Sequence, residues 1–487
     1  MSRAPVERLT TEVLVIGSGA GGAVTAATLA DAGFSVLLTE EGPAVDTSKL
    51  ATHTPKAMRL LYRNGGLSPI LGASNIAFAE GRCLGGSTEV NSAFWHRIPP
   101  ETAERWRQEF QIDELSSDGL LRLYEELEAA LEIRRLDETN QPGSSEILRR
   151  GADRLGWKVV QVPRAQAGDL AGSQFAPGAK RSMSRTFIPR AVRAGARVLA
   201  DCRIMRLHHK NGRVTGAAGR ILTEDGPVPL EIQADWVVLS AGAIQTPVLL
   251  RASWIKRNIG NSLRIHPMLK MAALYDEDLD SHRAPLPIYQ VKEFWPEITI
   301  GGSVFTPGFL AMTLSDNWNR TQHAMRDWRR MALYHAACRG TSLGTVRCFP
   351  INNEAVVRYT LSERDRMHLT LGIARLGEAL FAAGARKLYP GLRRPVEINT
   401  VEECRRMAEN PLPLADMSVS TVHVFSSCPM GEDRERCAVD SFGQVHGFQN
   451  LRIADASIIP DSPGVNPQGT TMALALRNAR HFISTIR

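Results

Sequence analysis

A six-residue glycine turn near the start of the chain constrains the possible fold more than any other feature. Residues 17–22 read GSGAGG, which fits the pattern GxGxxG. The turn follows the apolar, β-branched residues 12–16 and precedes the Ala- and Leu-rich residues 23–32, which predict a strand and a helix. A strand, this turn and a helix in that order form the phosphate-binding unit of dinucleotide folds. The sequence therefore predicts a βαβ unit with a dinucleotide at its helix N-terminus.

Each glycine of the pattern has a physical role in such a unit. Gly17 makes the tight turn, Gly19 lets the backbone approach a pyrophosphate, and Gly22 lets the helix pack on the strand. Residues 35–38 predict the second strand, and Glu40 follows at its end. A carboxylate there can accept hydrogen bonds from both ribose hydroxyls and disfavours a 2′-phosphate, so the pattern argues against NADP. The unit alone does not distinguish FAD from NAD.

Length and composition indicate a globular chain with more than one structural unit. At 487 residues, two or three domains or one large fold with an insertion are expected. The chain has no run of eighteen apolar residues, and residues 1–10 are polar and charged, without the apolar core of a secretory signal. We therefore expect no membrane span and a cytoplasmic protein. The seven cysteines are scattered without a CxxC pair, which predicts buried thiols.

A net charge of +7 raises the question of a nucleic-acid partner. Arg and Lys are spread along the whole chain, and neither zinc-finger spacing nor an RNA-binding aromatic signature is present. We expect no nucleic acid, and a basic surface that favours anionic cofactors and partners. The His, Cys and carboxylate residues show no metal-ligand spacing, so no metal is expected. Ser87 and Ser240 do not lie in G-x-S-x-G, which disfavours a serine hydrolase.

The rest of the chain gives a coarse order of elements. Residues 99–133 predict helix, residues 236–240 predict a buried strand, and residues 469–486 predict a C-terminal helix. Residues 198–207 and 213–218 predict a hairpin whose turn is Asn211-Gly212. Residues 270–420 alternate weakly and contain several prolines. This pattern predicts an antiparallel sheet with helices, suited to a substrate-binding domain.

Further motifs decide which cofactor the unit binds. Residues 81–91 read GRCLGGSTEVN and residues 242–253 read GAIQTPVLLRAS. Residues 259–267 read IGNSLRIHP. Near the C-terminus residues 423–431 read HVFSSCPMG, and further motifs are LRIADAS at residues 451–457 and Asn466-Pro467.

These segments resemble, in the same order, the signature sequences of the glucose–methanol–choline (GMC) oxidoreductases, which use FAD. The first resembles G-[RK]-x-L-G-G-S-[ST]-x-[IV]-N and the second resembles G-A-[IL]-x-[ST]-P-x-L-L-x-x-S. Ile265 stands where the family usually has an acid, so any role of that acid is lost. The resemblance says little about residues 45–75 and 270–420, where these proteins diverge with their substrates.

The resemblance implies an α/β fold. Its core is a Rossmann-like FAD-binding domain of the GMC/p-hydroxybenzoate hydroxylase type, with an inserted α+β substrate domain that contains an antiparallel sheet. The expected division assigns the FAD-binding domain to residues 1–45, 76–98, 185–268 and 432–487. The substrate-binding and cap regions are then residues 46–75, 99–184 and 269–431.

The resemblance also implies a set of FAD contacts. Asn91 would meet the polar edge of the isoalloxazine, and the backbone of Ile204 would meet adenine. Some relatives bind FAD covalently through a His just before this Asn; Val90 stands there, so we expect non-covalent FAD, with Cys83 a remote alternative attachment. The expected cofactor residues are Gly17, Gly19, Gly22, Glu40, Arg82, Gly85, Gly86, Ser87, Asn91, Ile204, Asp455, Ala456, Pro467 and Gln468.

Catalysis would fall on two residues that match the family motifs. His423 occupies the position of the base that removes the hydroxyl proton while flavin N5 takes the hydride, and imidazole titrates in the right range. Asn466 occupies the partner position, where it can hold the alcohol oxygen without titrating. Another reading makes His423 an ordinary core histidine. His266 carries no motif for chemistry and is expected at most to help domain packing.

Several functional alternatives stay open. The main hypothesis is oxidation of an alcohol to an aldehyde or ketone, by an oxidase or a dehydrogenase, with O₂ or a quinone-type partner as electron acceptor. The alternatives are a GMC-type flavin lyase, a photoenzyme and a non-catalytic flavoprotein. The substrate could be a hydrophobic alcohol or a sugar-like polyol, and the oligomeric state is open.

Overall fold

The computed structural model of the protein describes residues 6–50, 53–135, 143–166, 179–283 and 288–487. Helices and strands are interspersed along these ranges. The helices are α1 (Ala20–Asp31), α2 (Pro55–Leu61), α3 (Pro100–Glu109), α4 (Ser117–Ala130), α5 (Gly143–Arg154), α6 (Phe187–Arg193), α7 (Gly242–Ala252), α8 (Pro307–Leu314), α9 (Trp318–Thr321), α10 (Glu363–Ala382), α11 (Val401–Glu409) and α12 (Gln468–Ile486).

The strands form two large sheets and several short pairs. They are β1 (Glu7–Ile16), β2 (Val36–Thr39), β3 (Ser68–Ile70), β4 (Asn75–Phe78), β5 (Ile133–Arg134), β6 (Val159–Gln161), β7 (Arg164–Ala165), β8 (Arg197–Leu199), β9 (Cys202–Lys210), β10 (Arg213–Thr223), β11 (Gly226–Leu239), β12 (Arg264–Ile265), β13 (Met268–Leu274), β14 (Tyr289–Val291), β15 (Ile298–Gly302), β16 (Met331–Cys338), β17 (Thr345–Cys348), β18 (Ala355–Arg358), β19 (Lys387–Pro390), β20 (Ser418–Thr421), β21 (Val424–Phe425) and β22 (Leu451–Ile453).

The first sheet contains the predicted βαβ unit. Its strand order is β8-β2-β1-β11-β10-β9, and β22 pairs with β11. The pairings β1–β2, β1–β11, β2–β8 and β11–β22 are parallel, so the carboxyl ends of these strands meet at one edge. The prediction of strand, glycine turn and helix is confirmed. However, α1 begins three residues earlier than predicted, because the last two glycines of the turn are already packed inside the helix.

The predicted hairpin is also confirmed. Strands β9 and β10 pair antiparallel, and Asn211 and Gly212 both have positive φ angles, 52° and 71°. Two left-handed residues define the turn type that matches the twist of a hairpin, and Asn-Gly is the pair that adopts it most readily. The predicted strand at residues 198–207 is in fact two strands, β8 and β9, because Asp201 has a φ of 52° between them.

The helical prediction for residues 99–133 is only partly right. Helices α3 and α4 are separated by a link in which Gln111 and Glu114 have positive φ angles. Ser116 then caps α4 by accepting a hydrogen bond from Gly119 N at 3.1 Å. The apolar side chains of the link are buried, so the sequence pattern looked continuous although the backbone turns.

The second sheet confirms the antiparallel sheet expected within residues 270–420. Its strand order is β3-β4-β20-β13-β16-β15-β14-β6, and β19 pairs with β13. The pairing of β13 with β16 runs through seven residue pairs, from Met268–Ala337 to Leu274–Met331. Strands from outside the expected range, such as β4 and β6, complete the sheet. The proposed domain boundaries stay a prediction.

The two faces of the second sheet differ sharply. On one face Leu269, Met271 and Tyr334 join a buried apolar cluster that includes side chains of α5 and α10. Successive residues of a strand point to opposite faces, so Lys270 and His335 lie on the other face. That face is turned toward the carboxyl edge of the first sheet. The face and the edge border one cavity.

Candidate functional site

A cavity of about 550 Å³ joins the two sheets. At one end it is lined by the ends of three parallel strands, at Ile16, Thr39 and Ser240. At the other end it is lined by the polar face of the second sheet, including Lys270 and His335. The crevice outside the carboxyl ends of parallel strands is where open α/β sheets bind ligands. The cavity is therefore the candidate functional site.

The structure brings most of the expected site residues together around this cavity. Three of them, Gly22, Arg82 and Gly85, do not line it. Those that do are Gly17, Gly19, Glu40, Gly86, Ser87, Asn91, Ile204, His423, Asp455, Ala456, Asn466, Pro467 and Gln468. Their roles toward a bound molecule stay predictions.

The glycine turn has the geometry that its pattern requires. Gly17 has a φ of +101°, and a Cβ there would lie 2.3 Å from Ser240 O. A Cβ on Gly22 would lie 1.9 Å from Gly17 O, so this glycine serves close packing inside the fold. A Cβ on Gly19, in contrast, would meet nothing within 4 Å. The turn thus presents bare backbone to the cavity at Gly19.

Two helix N-termini border the cavity without acidic residues in their first turns. Helix α1 starts after Gly19, and α12 starts after Pro467; no side chain caps either end. Free N–H groups and the partial positive charge of a helix N-terminus favour an anion. The open space at Gly19 and these two uncapped ends fit the diphosphate and the electron-rich flavin edge of FAD.

Glu40 is held tightly at the end of β2. Its Oε2 accepts hydrogen bonds from Ser18 N at 3.0 Å and Ser18 Oγ at 2.7 Å, and its Oε1 accepts one from Gly42 N at 3.1 Å. Burial raises the pKa of Glu40, while these hydrogen bonds act in the opposite direction. A carboxylate has about four lone-pair positions, so capacity for a ribose hydroxyl remains.

An ion-pair network beside Glu40 escaped the sequence analysis. Glu41 binds Arg63 at 2.6 Å and Arg82 at 3.2 Å, and Arg63 also binds Glu80 at 2.6 Å. Although burial opposes ionisation, the Arg63 guanidinium holds the pKa of Glu41 below its ordinary value. The Arg82 side chain points to this network, and its contact with the cofactor stays a prediction. The signal in the sequence was a second acid next to Glu40.

Hydrogen bonds tie the first GMC-like motif to the rest of the site. Gly85 N donates to Ser18 Oγ at 2.9 Å, which joins the motif to the glycine turn. Asn91 Nδ2 donates to Gln468 Oε1, which joins it to the start of α12. Lys180 Nζ donates to Asn91 O at 2.6 Å, and burial lowers the pKa of this ammonium to about 8. Lys180 was not expected from the sequence.

Asp455 joins two other motifs. Its Oδ2 accepts hydrogen bonds from Gly242 N at 3.0 Å and Thr246 Oγ1 at 2.5 Å, and its Oδ1 accepts one from Ser457 N at 2.8 Å. Burial raises its pKa. The side chain therefore fixes the start of α7 at the cavity wall, and a direct contact of Asp455 with a cofactor stays a prediction.

His423 is partly buried and takes part in a hydrogen-bonded chain. Its Nδ1 lies 3.1 Å from Nδ1 of His266. Nε2 of His266 lies 2.9 Å from Ser462 Oγ, and that hydroxyl donates to Arg339 O at 2.5 Å. Burial, together with the neighbouring His335, lowers the pKa of His423 to about 4. Both imidazoles of the chain are neutral at neutral pH, because burial also lowers the pKa of His266.

The direction of this chain fixes which nitrogen of His423 is free. The single proton of Ser462 points to Arg339 O, so Ser462 Oγ must accept from Nε2–H of His266. Nδ1 of His266 then carries a lone pair and accepts from Nδ1–H of His423. Nε2 of His423 is left with its lone pair, and His423 lines the cavity. The arrangement can accept a proton from a ligand.

His266 is the main residue that the sequence analysis undervalued. It lies in the IGNSLRIHP segment, which was noted for its resemblance, but nothing in that segment indicates a contact with residue 423. The contact arises because β12 pairs with β21 and brings the two histidines side by side. Asn466 lines the same cavity as His423.

The cysteines and the helices give two further observations. All seven cysteines have free thiols, and six of them are buried. Among the described residues, no helix is both long enough and apolar enough to cross a membrane.

Comparison with known families identifies the class of this protein. A family model described as GMC oxidoreductase matches residues 58–268, and a second model with that description matches residues 342–475. A model described as an FAD binding domain matches residues 12–55. The chain belongs to the GMC oxidoreductase family and is an FAD-dependent oxidoreductase, so the family, the fold class and the cofactor predicted from the motifs are confirmed.

Individual relatives place the chain more closely. It is 39% identical to the uncharacterized GMC-type oxidoreductase y4nJ of Sinorhizobium fredii, over 98% of this chain and 95% of that protein. It is 26% identical to the long-chain-alcohol oxidase FAO4A of Arabidopsis thaliana, over 97% of this chain and 68% of that protein. The crystal structure of pyridoxine 4-oxidase from Mesorbium loti matches with a TM-score of 0.74 at 19% identity, covering 97% and 99% of the two chains, which shows a shared fold.

We expect Glu40→Ala to weaken FAD binding about 10- to 100-fold, because a charge-assisted hydrogen bond to the ribose and the contacts that hold the glycine turn are both lost. Equilibrium dialysis of the apoprotein against FAD measures the effect. Glu435→Ala is the matched control, because this carboxylate is 86% exposed and pairs with Arg257 at the surface. An FAD affinity equal to that of the wild type would show that Glu40 is not the ribose acid.

Proposed function

We propose that this GMC oxidoreductase oxidises the CH–OH group of an alcohol to a carbonyl, with His423 accepting the hydroxyl proton and Asn466 holding the hydroxyl oxygen. The observation that carries the proposal is the chain from His423 to Arg339 O, which leaves Nε2 of His423 as a free base on the cavity wall. The similarity to a protein named as a long-chain-alcohol oxidase supports the same reaction class.

The reaction must remove one proton and one hydride from the alcohol. Bound FAD supplies the acceptor for the hydride, which in this family is flavin N5. Nε2 of His423 takes the hydroxyl proton, and the imidazolium that forms strengthens its Nδ1–H hydrogen bond to His266. Because the pKa of His423 is lowered to about 4, the base is unprotonated and ready over the whole neutral range.

We propose that FAD is bound without a covalent link. Val90 stands where some relatives carry the linking His, and its side chain has no nucleophilic atom. Cys83 is the remaining candidate nearby, but burial strongly raises its thiol pKa and its Sγ points to Gly86 O at 3.8 Å. A thiol that stays protonated is a poor nucleophile.

Acid precipitation of the purified holoenzyme should therefore release the yellow cofactor into the supernatant, where chromatography identifies it as FAD. Boiled protein serves as a second denaturing treatment and should release the same amount. Flavin that remains in the washed pellet after both treatments would contradict non-covalent binding.

Alcohol oxidation and its alternatives make different predictions for the bound flavin. A lyase, a photoenzyme or a non-catalytic flavoprotein would leave the flavin oxidised when an alcohol is added in the dark without oxygen. An alcohol oxidase or dehydrogenase would bleach it. Subsequent mixing with air or with a quinone dye separates oxidase from dehydrogenase.

In stopped-flow measurements without oxygen, we expect His423→Ala to retain FAD but to reduce it about 10²- to 10⁴-fold more slowly, because the general base is missing. Partial recovery at high pH should follow from substrate alkoxide. For the wild type, the rate constant should be flat above about pH 6 and fall as the pH drops toward 4, because protonation with a pKa of about 4 removes the base. Asn466→Ala should slow reduction about 10- to 100-fold and leave this pH profile in place.

A wild-type rate in His423→Ala would show that another group accepts the proton. A profile for the wild type that falls near pH 7 would contradict the lowered pKa. A changed profile in Asn466→Ala would contradict a purely positioning role for this amide. His208→Ala is a suitable control, since this histidine lies on the hairpin at the protein surface and pairs there with Glu231 of β11.

A further variant tests His266 as a positioning residue. His266→Ala removes the acceptor of Nδ1–H of His423, so both tautomers of His423 become available and flavin reduction should slow about 10- to 100-fold. His266→Asn should restore most of the rate, because its Oδ1 can occupy the place of Nδ1 and accept the same proton. Equal rates in the two variants, or a wild-type rate in His266→Ala, would contradict the positioning role.

A further inference from the structure

The polar face of the second sheet is built from two rows of residues that cross four strands. In the first row Gln290, Gly301, His335 and Lys270 are successive pairing partners on β14, β15, β16 and β13. All of these except Gly301 line the cavity. In the adjacent row on the same face, Met268, Ala337 and Thr299 are successive pairing partners. Lys292, two residues after Gln290, continues this row through its hydrogen bond to Thr299. The face therefore presents basic and hydrogen-bonding groups side by side.

The glycine in the first row makes room for its neighbours. A Cβ on Gly301 would lie 2.9 Å from His335 Cε1 and 3.6 Å from Gln290 Cγ. Without a side chain at this position, the two polar groups can lean together above the sheet. Oε1 of Gln290 also accepts a hydrogen bond from Nε2 of His96 at 3.3 Å, and Ser303 Oγ lies 3.2 Å from Nδ1 of His335. The face is thus a built polar surface rather than a gap between apolar side chains.

Two lysines on this face lack a counter-ion within the described part of the chain. No carboxylate there lies within 4 Å of Nζ of Lys270 or of Lys292. Lys292 Nζ donates to Thr299 Oγ1 at 3.1 Å, and Lys270 Nζ lies 5.5 Å from the ring centroid of Phe309. Burial lowers the pKa of both ammonium groups, and that of Lys292 to about 8, so the ammonium form of Lys292 still dominates at pH 7. A buried cation is costly unless an anion compensates it.

The five carboxylates that line the cavity are engaged elsewhere. Asp455 accepts hydrogen bonds from Gly242 N and Thr246 Oγ1. Glu40 and Glu41 are bound to the glycine turn and to arginines, and Glu80 pairs with Arg63. Glu297 lies 3.7 Å from Arg364 at the protein surface, where both side chains are exposed. An anion that pairs with Lys270 and Lys292 would therefore have to come from what enters the cavity.

We propose that the natural substrate is an alcohol that also carries an anionic oxygen group, a carboxylate or a phosphate monoester, which binds at Lys270 and Lys292 while its hydroxyl lies at His423. This inference rests on the proposed function and names its substrate class. The remaining lining between the two ends includes the apolar side chains of Phe309, Met312 and Met268, which suit a hydrocarbon segment joining the two polar groups.

The test compares alcohols that differ only in charge at the far end. Holoenzyme is mixed without oxygen with ω-hydroxycarboxylates of three to eight carbons, with the α,ω-diols of the same lengths, and with ω-hydroxyalkyl phosphates. We expect at least one anionic alcohol to give a ratio of reduction rate constant to Kd about 10- to 100-fold above that of its matched diol. The better of the two anionic series identifies the group. Diols that equal or exceed both series at every length would overturn the proposal.

Variants connect this selectivity to the two lysines. Lys270→Met and Lys292→Met keep an unbranched side chain of similar length and remove one charge each. Each should lower the ratio between the anionic alcohol and its diol about 10-fold or more. Lys256→Met is the control, because this lysine lies outside the cavity, stacked 4.2 Å from the Trp254 ring, and should leave the ratio unchanged. An unchanged ratio in both cavity variants would overturn the proposal.

A binding measurement separates this inference from the proposed reaction. Calorimetric titration of holoenzyme with hexanoate and hexyl phosphate needs no turnover, and 1-hexanol is the neutral comparison. Lysine-dependent binding of an anion without flavin reduction by any alcohol would retain the anion site and reject alcohol oxidation. Flavin reduction by diols without anion binding would retain alcohol oxidation and reject the anion site.

Discussion

The close packing of bare backbone around the glycine turn is the constraint on which the site depends. A Cβ on Gly21 would lie 1.7 Å from Ala454 O, and one on Gly17 would lie 2.3 Å from Ser240 O. Helix α1 therefore sits directly on the carboxyl ends of β11 and β22. Asp455 follows at once, and its bonds to Gly242 N and Thr246 Oγ1 fix α7 beside the same edge. Three motifs that are far apart in the sequence are thus held by close backbone contacts and by the buried side chain of Asp455.

The pairing register of the strands positions the proton acceptor, His423, beside His266. His423 follows β20 and His266 precedes β13, and these strands pair at Met268 and Ser420. His266 N also donates to His423 O at 3.3 Å. A slip of one residue would turn every side chain to the opposite face, so the imidazole contact exists in one register alone. The chain that ends at Arg339 O then fixes the tautomer without any carboxylate, which keeps both imidazoles neutral.

Elements whose formation depends on local backbone geometry could be predicted from the sequence. The glycine turn, the Asn211-Gly212 hairpin and α12 were predicted because special φ angles and apolar periodicity are legible within a few residues. The interruption between α3 and α4 was missed, because buried link residues such as Ile112 look like the apolar face of a helix. His266, Lys270 and Lys292 were missed for a different reason. Their significance comes from long-range register, and a lysine in an alternating strand gives no sign of whether it faces solvent or a cavity.

The two ends of the cavity are electrostatically linked. Burial, together with the charges of Lys270 and Lys292, lowers the pKa of His335 to about 4, and Lys292 also lowers the pKa of His266. An anion bound between the lysines would offset their field at both imidazoles. The pKa values of His335 and His266 would then rise. A more basic His266 would accept more strongly from Nδ1–H of His423 and would stabilise the imidazolium that forms when His423 takes the hydroxyl proton. The same charge that holds one end of the molecule would therefore favour proton removal at the other.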